Sequence, residues 1–347
     1  MKKNLIKSIL PLATLLLIVI FLSKNNRIEG ETYKRTRLMM GTVVEITVLD
    51  KIKKGLPEEA PKEAIDGAVE AAFARIKELE ELFGRRREGS DIWRINRSPG
   101  LPVPVSQETY ELIEDSLDFS EMSKGAFDIT LGRLVELWDF ERAKPTLPDA
   151  GLVKEALKGV GRESVLLDGE TLTVTPLNAV RLDLGAIAKG YIIDEAGKVL
   201  RAYNIENFII NAGGDMVISG RRGAKPWKVG LQHPRDAARV MAHIEIEDAS
   251  TAIVTSGDYE RYFMEGGKRY HHILDPETGY PASGLMSVTI KSRDAKAADA
   301  LSTAVFVMGA EKGLALIEEL DDVEAVLVDS DENMIISKGL KGKVVVR

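Results

Sequence analysis

Apolar positions along this chain recur with two periods, and the switches between them outline the fold. From residue 42 to 49, Val44, Ile46 and Val48 alternate with more polar neighbours, which predicts a half-buried strand. Residues 61–83 instead place Ile65, Ala68, Ala72, Ile76, Leu79 and Phe83 on one helical stripe, with Pro61 suited to a first turn. A second helix is expected over 106–122, with Ser106 as its N-cap. Residues 165–174 read as a hairpin turning at Asp168-Gly169 in a tight two-residue loop. A helix over 189–203 leads into a short buried strand at 208–210, and 240–246 alternates again. The C-terminal part predicts a strand at 287–290, helices at 295–307 and 311–320, a strand at 325–328 and further short strands to 346.

Consecutive strands are joined by hairpins about as often as by helices. That pattern favours an α+β fold, with mixed, largely antiparallel sheets flanked by helices, over a doubly wound parallel sheet. No fixed-period repeat and no internal linker interrupts 40–347. Residues 38–347 are therefore expected to form one domain, preceded by a polar, basic linker at 24–37.

The first 23 residues have a different character. Lys2, Lys3 and Lys7 precede an uncharged apolar run from 9 to 22, with polar residues after it. This is the layout of a secretory signal without a small-x-small cleavage site, and the run falls short of the ~20 residues of a comfortable span. An uncleaved signal-anchor helix is the expectation, with a cleaved signal peptide as the alternative. Either way the domain would lie outside the inner membrane, on the periplasmic side.

Composition removes several classes of function. The chain has 347 residues, 44% apolar and 29% charged, enough for a sizeable core. It has no cysteine, which excludes disulfides, thiolate nucleophiles and zinc–thiolate sites. The formal charge of −7, more negative without the leader lysines, argues against a general role in binding nucleic acid. Arg85-Arg86-Arg87 is the one dense basic spot and reads as a solvated helix end.

Candidate chemistry begins at 287–303, where a strand feeds a helix carrying Asp299 and Thr303 at i and i+4. That spacing puts two hard oxygen donors on one helical face, a pairing suited to magnesium or, alternatively, to dipole compensation and a spacer. Asp183-Leu-Gly-Ala-Ile-Ala-Lys-Gly190 places glycines and Lys189 at a helix start, a natural phosphate cradle that matches neither the Walker nor the dinucleotide spacing. Asn211-Ala-Gly-Gly-Asp215 and Thr255-Ser-Gly-Asp258 are reversals that let the backbone approach a ligand or simply turn. His271-His272 precede a good turn at Asp275-Pro-Glu-Thr-Gly279, and one of the two should face the apolar side.

Taken in order, these segments resemble the ApbE family of FAD:protein FMN transferases. The resemblance rests on Met40-Gly-Thr42, the Ser90 to Asn96 segment, Gly125-Ala-Phe-Asp128, Asp183 to Gly190 and Asn211 to Asp215. Thr255 to Asp258, His272 to Gly279 and Ala298 to Thr303 complete it. It implies magnesium-dependent cleavage of FAD, transfer of the FMN half to a Ser/Thr hydroxyl of an acceptor protein, and release of AMP. Acceptors would be flavin-carrying subunits of membrane redox complexes. Carried over by position, Met40, Ala126, Phe127, Asp128, Asp183, Lys189 and Leu274 would contact FAD. The carbonyl of Ala186 and the side chains of Asp299 and Thr303 would hold Mg2+, and His272 would take the acceptor proton. Arg86 stands where many relatives have an aromatic residue near the flavin. Two readings compete: an extracytoplasmic FAD pyrophosphatase, in which water replaces the acceptor, and a non-catalytic FAD-binding protein.

Overall fold

The computed structural model describes residues 32–49, 62–221, 226–246 and 250–346. Strands β1 (Thr32–Met39) and β2 (Thr42–Leu49) form a hairpin. Then come α1 (Lys62–Phe83), α2 (Asp91–Ile95), β3 (Val103–Pro104), α3 (Gln107–Met122), α4 (Gly132–Trp138) and α5 (Ala150–Ala156). The pair β4 (Val165–Asp168) and β5 (Thr173–Pro176) precedes α6 (Ala188–Ala202). Strands follow as β6 (Phe208–Ala212), β7 (Asp215–Ser219), β8 (Trp227–His233), β9 (Asp236–Ile246) and β10 (Ser250–Gly257). After them come β11 (Tyr262–Glu265), β12 (Lys268–His271) and β13 (Leu285–Ser292). The chain closes with α7 (Ala295–Met308), α8 (Ala310–Glu318), β14 (Glu324–Asp329), β15 (Met334–Ile336) and β16 (Val344–Val346).

An eight-stranded sheet in the order β1-β2-β6-β7-β10-β13-β14-β15 organises these elements, and every neighbouring pair in it is antiparallel. Strand alternation sorts its residues between two faces. Val44, Ile46, Phe208, Ile210, Ala252, Val254, Val288, Ile290 and Leu327 are buried with the apolar stripes of α1, α6 and α7. Ile218, Ile253 and Val326 point the other way, into a second core roofed by the small β16-β9-β8 sheet. A third cluster, around Trp138, joins α4 and α5 to Leu274 and to the β11–β12 hairpin. The expected α+β class with largely antiparallel sheets is the observed one.

Several local expectations differ. The expected signal-anchor segment, 1–23, lies outside the described residues, as do residues 24–31 of the expected linker. Among the described residues no helix is long and apolar enough to cross a membrane. Residues 32–37 of that linker belong to β1, a largely exposed edge strand whose extended state comes from its pairing with β2 rather than from apolar alternation. The 165–174 hairpin turns through four residues, not two. Asp168 Oδ1 accepts from the backbone N–H groups of Glu170 and Thr171 at 2.9 and 3.3 Å, and Leu172 takes a left-handed φ of 47°. Two further strand regions add to the expected set: β8, where Trp227, Val229 and Leu231 alternate inward over a short span, and the β11–β12 hairpin, whose residues alternate weakly. Ser106 does cap α3, accepting from Thr109 N at 3.2 Å.

Candidate functional site

Helices α6 and α7 cross almost in backbone contact, and Gly190 is the reason they can. A Cβ at Gly190 would stand 2.1 Å from the carbonyl oxygen of Ala295 and 2.9 Å from Cβ of Asp299. The crossing is tied by hydrogen bonds as well. Asp194 of α6 accepts from Ala295 N at 3.0 Å and Lys296 N at 2.8 Å, so a carboxylate of one helix caps the first turn of the other. Burial pushes the Asp194 carboxyl up to about 6 despite those bonds. Asp294, the N-cap residue of the same helix, accepts from Ala297 N at 2.8 Å.

This anchoring fixes Asp299 and Thr303 in the second and third turns of α7. Asp299 is 5% exposed and accepts from Gly190 N at 2.9 Å, so its carboxylate serves the α6 start and not the dipole of its own helix. Thr303, one turn on and half-buried, has its hydroxyl 3.4 Å from that of Ser256 at the end of β10. Ser256 also shares a hydrogen bond of 2.7 Å with Ser302. The i, i+4 pair therefore does share one face, beside a strand end lined with hydroxyls.

Charge at this crossing is unbalanced. Lys189, in the first turn of α6, is ion-paired with Asp215, the first residue of β7. Asp215 is 2% exposed and its other oxygen accepts from Thr255 N at 3.1 Å. Burial works against the Lys189 ammonium, but the fields of Asp215, Asp299 and Glu260 outweigh it and raise its pKa. Burial and then the Asp215 charge push the Asp299 carboxyl up. One lysine thus answers two buried carboxylates, and a hard cation beside Asp299 and Thr303 would supply the missing positive charge. The donor set present fits magnesium, with backbone carbonyls such as that of half-buried Ala186 in the adjoining turn. Among the described residues no trio of His, Cys, Asp and Glu side chains forms a metal cluster, so any site here would rely on mixed hydroxyl, carbonyl and carboxylate oxygens.

The Asp183 loop forms the neighbouring wall. Asn96, closing the Ser90-capped helix α2, clamps the Leu182 backbone from both sides: its amide donates to Leu182 O at 2.9 Å and its oxygen accepts from Leu182 N at 2.6 Å. Asp183 N then bonds Ile129 O at 2.8 Å, which brings the Gly125 to Asp128 segment alongside. Asp183 itself accepts from Gly185 N at 2.7 Å through one oxygen and is paired with Arg85 Nε at 2.5 Å through the other. Arg86 faces outward and pairs with Asp139 and Glu141 at 2.6 and 2.5 Å.

Other expected contact residues divide into two groups. Met40 adopts a left-handed φ of 52° in the β1–β2 turn, donates its N–H to Glu80 at 2.9 Å, and lies next to the Gly213 turn, which hydrogen-bonds Val43 O. A Cβ on Gly213 would come within 2.3 Å of the Thr42 hydroxyl, so these two turns interlock. Ala126 is half-buried, and Asp128 accepts from both N–H and O–H of Thr130 while burial raises its pKa. Phe127 is 1% exposed against Phe119, and Leu274 is 5% exposed within the Trp138 cluster; both side chains are core.

The two histidines have different fates. His271 is the inward one, with Nε2 2.9 Å from Ala282 O and its ring edge-on to Phe306. His272 is half-buried, with Nδ1 enclosed and unpartnered, and it feels the fields of Arg261 and Lys189. Burial, then Arg261 and His271, depresses its pKa to about 3, so at neutral pH the ring is uncharged.

The structure therefore ties Lys189, Asp299 and Thr303 into one contact network, places the Asp183 loop on the chain just before it, and leaves Phe127 and Leu274 in the core. Asp215 and Ser256 belong to that network too. The sequence showed them only inside glycine-bearing turns, whose position at the ends of buried strands was the available signal. Arg85 gave no individual signal within its basic run.

Comparison with known proteins identifies the family. The model of the ApbE family matches residues 40–327. An FAD:protein FMN transferase of Treponema pallidum is 34% identical over 340 residues, covering 93% of this chain and 91% of that protein. One from Klebsiella pneumoniae is 38% identical over 269 residues, 76% of this chain and 83% of that protein. Among solved structures, the ApbE protein of Thermotoga maritima superposes with a TM-score of 0.80 at 36% identity, covering 90% of this chain and 99% of that one. The flavin transferase ApbE of Vibrio cholerae gives 0.77 at 27% identity, with 90% and 99% covered. The chain belongs to the ApbE family.

Proposed function

We propose that this ApbE-family chain transfers the FMN half of FAD to a Ser/Thr hydroxyl of an acceptor protein, with magnesium bound, and releases AMP. The observation that carries the reading is the cluster at the α6–α7 crossing in which Lys189 meets the buried Asp215 and Asp299, with one cation for two carboxylates and a helix start alongside. In the transfer, the acceptor oxygen bonds to the phosphorus of the FMN half and the bond to the bridging oxygen breaks. That oxygen leaves with AMP.

Asp299, Thr303 and the carbonyl of Ala186 would hold the magnesium, whose contribution is to withdraw charge from the diphosphate. Lys189, in the first turn of α6, would add a positive charge beside that ion where the phosphates would lie. Met40, Ala126, Phe127, Asp128, Asp183 and Leu274 are the remaining proposed FAD contacts, the buried Phe127 and Leu274 shaping the wall from behind.

His272 is the proposed acceptor of the hydroxyl proton. A neutral imidazole with an unpartnered, enclosed nitrogen is in the right protonation state. Its basicity is held down by burial and by Arg261, and the arrival of a dianionic diphosphate offsets that positive field. Substrate binding would therefore make His272 a stronger base just when one is needed.

The working location is proposed as the periplasmic side of the inner membrane, with residues 1–23 as anchor and flavin-carrying subunits of membrane redox complexes as acceptors. The test is co-expression with a candidate acceptor domain and mass spectrometry of that domain. Added FMN mass on a Ser or Thr supports transfer. FMN found solely free in solution, with AMP, would point to hydrolysis by water. FAD bound with no AMP released on adding magnesium would point to a binding protein.

A further inference from the structure

Three consecutive arginines follow α1, and they do not behave alike. Arg86 and Arg87 have side chains 50% and 54% exposed and pair with surface acids. The Arg85 side chain is 15% exposed and turns inward to Asp183, itself 16% exposed. Its Nε takes one oxygen of that carboxylate at 2.5 Å, while the other oxygen is committed to Gly185 N at 2.7 Å. Arg85 Nη1 is left enclosed with no hydrogen-bond partner. An arginine serving solely to close a loop would have its buried N–H groups satisfied by protein, because an orphaned one costs about 1–3 kcal/mol. A ligand acceptor explains the arrangement: Asp183 orients the guanidinium, and the free nitrogen waits for the ligand.

We infer that Arg85 is a substrate-binding residue that recognises the flavin ring system of FAD by donating from Nη1 to a ring carbonyl or ring nitrogen. This rests on the reading of FAD as substrate. An uncharged acceptor is favoured over the diphosphate because the Arg85–Asp183 pair carries no net charge, whereas the Lys189, Asp215 and Asp299 cluster would turn net positive with the proposed magnesium and so draw the phosphates there. Asp183 then contributes to binding as the orienting partner of Arg85.

The test is calorimetric titration of the purified protein, with magnesium, by FAD and separately by ADP, which shares the diphosphate and adenosine but lacks the flavin. Arg85→Gln is expected to weaken FAD binding about 10–100-fold, the value of a hydrogen bond from a charged donor, with ADP binding unchanged. Arg85→Lys retains the charge and the reach to Asp183 but lacks the second nitrogen, and is expected to lose FAD selectively as well. It carries the test should the glutamine variant fail to fold, since unaltered ADP binding certifies the site. An equal loss for FAD and ADP would overturn the assignment, and so would unchanged FAD affinity in either folded variant. Failure of the wild-type protein to bind FAD at all would instead refute the functional reading on which the inference rests.

Discussion

Replacing Gly190 with alanine tests whether the α6–α7 crossing builds the site. The added methyl would lie 2.1 Å from the Ala295 carbonyl oxygen and 2.9 Å from Asp299 Cβ, where ordinary contact begins near 3.4 Å. Both neighbours are helix backbone or attached directly to it, so relief requires the helices to separate. Overpacking of this kind costs about 1–3 kcal/mol, and alanine's better helix propensity returns about 1 kcal/mol of that. Separation also stretches the Gly190 N–Asp299 bond of 2.9 Å and carries Asp299 and Thr303 away from Lys189. The expectation is a modest fall in melting temperature with a disproportionate loss of FMN transfer. The control lies on the same helix: a Cβ at Gly197 meets only ordinary contacts, at 3.4 Å to Arg201 and 3.5 Å to Phe208. Gly197→Ala should be neutral or stabilising by about 0.5–1 kcal/mol with full activity. Thermal unfolding and an acceptor-flavinylation assay read both quantities. Wild-type transfer by Gly190→Ala, or equal damage from the two substitutions, would refute the reasoning.

The cluster and its histidine make further predictions. Lys189→Met should destabilise by about 3 kcal/mol, the low end for breaking a buried pair because the lysine is a third exposed. Asp215→Asn in that background should restore much of the loss in denaturant titration, and strict additivity of the two changes would contradict the pairing. Asp299→Ala should abolish transfer in magnesium buffer, as chelation should for the wild type; a variant still active in chelator would remove the metal assignment. His272 has its folded pKa depressed to about 3, so its contribution is fully present above its unfolded pKa, ~6.5, and is lost as pH falls toward the folded value. His272→Asn should therefore lose less stability than wild type on acidification, seen in melting temperatures across the acid range. Asp194, raised to about 6, acts in the opposite sense, losing stability as pH rises through that value. The same His272 variant should still bind FAD while transferring slowly, and equal loss of binding would make the histidine structural.

Local physics was legible in the chain before any coordinates. The stripe of α1, the alternation of β2 and the Ser106 cap depend on side chains within a few residues of one another, and all three are present. Asp299 and Thr303 share a face because a helix makes i and i+4 neighbours wherever it packs. Other features exist solely through contacts between distant segments. Thr32–Met39 is a strand because β2 pairs with it, not because its own residues alternate. Which histidine turns inward was set by the seat beside Phe306 and Ala282. Phe127 and Leu274 are core because α3 and the Trp138 cluster close over them. The charge imbalance at Lys189, Asp215 and Asp299, and the inward turn of Arg85 to Asp183, arise where separate elements meet. A run of three arginines is chemically uniform along the chain, and burial of one guanidinium against a carboxylate is what sets it apart.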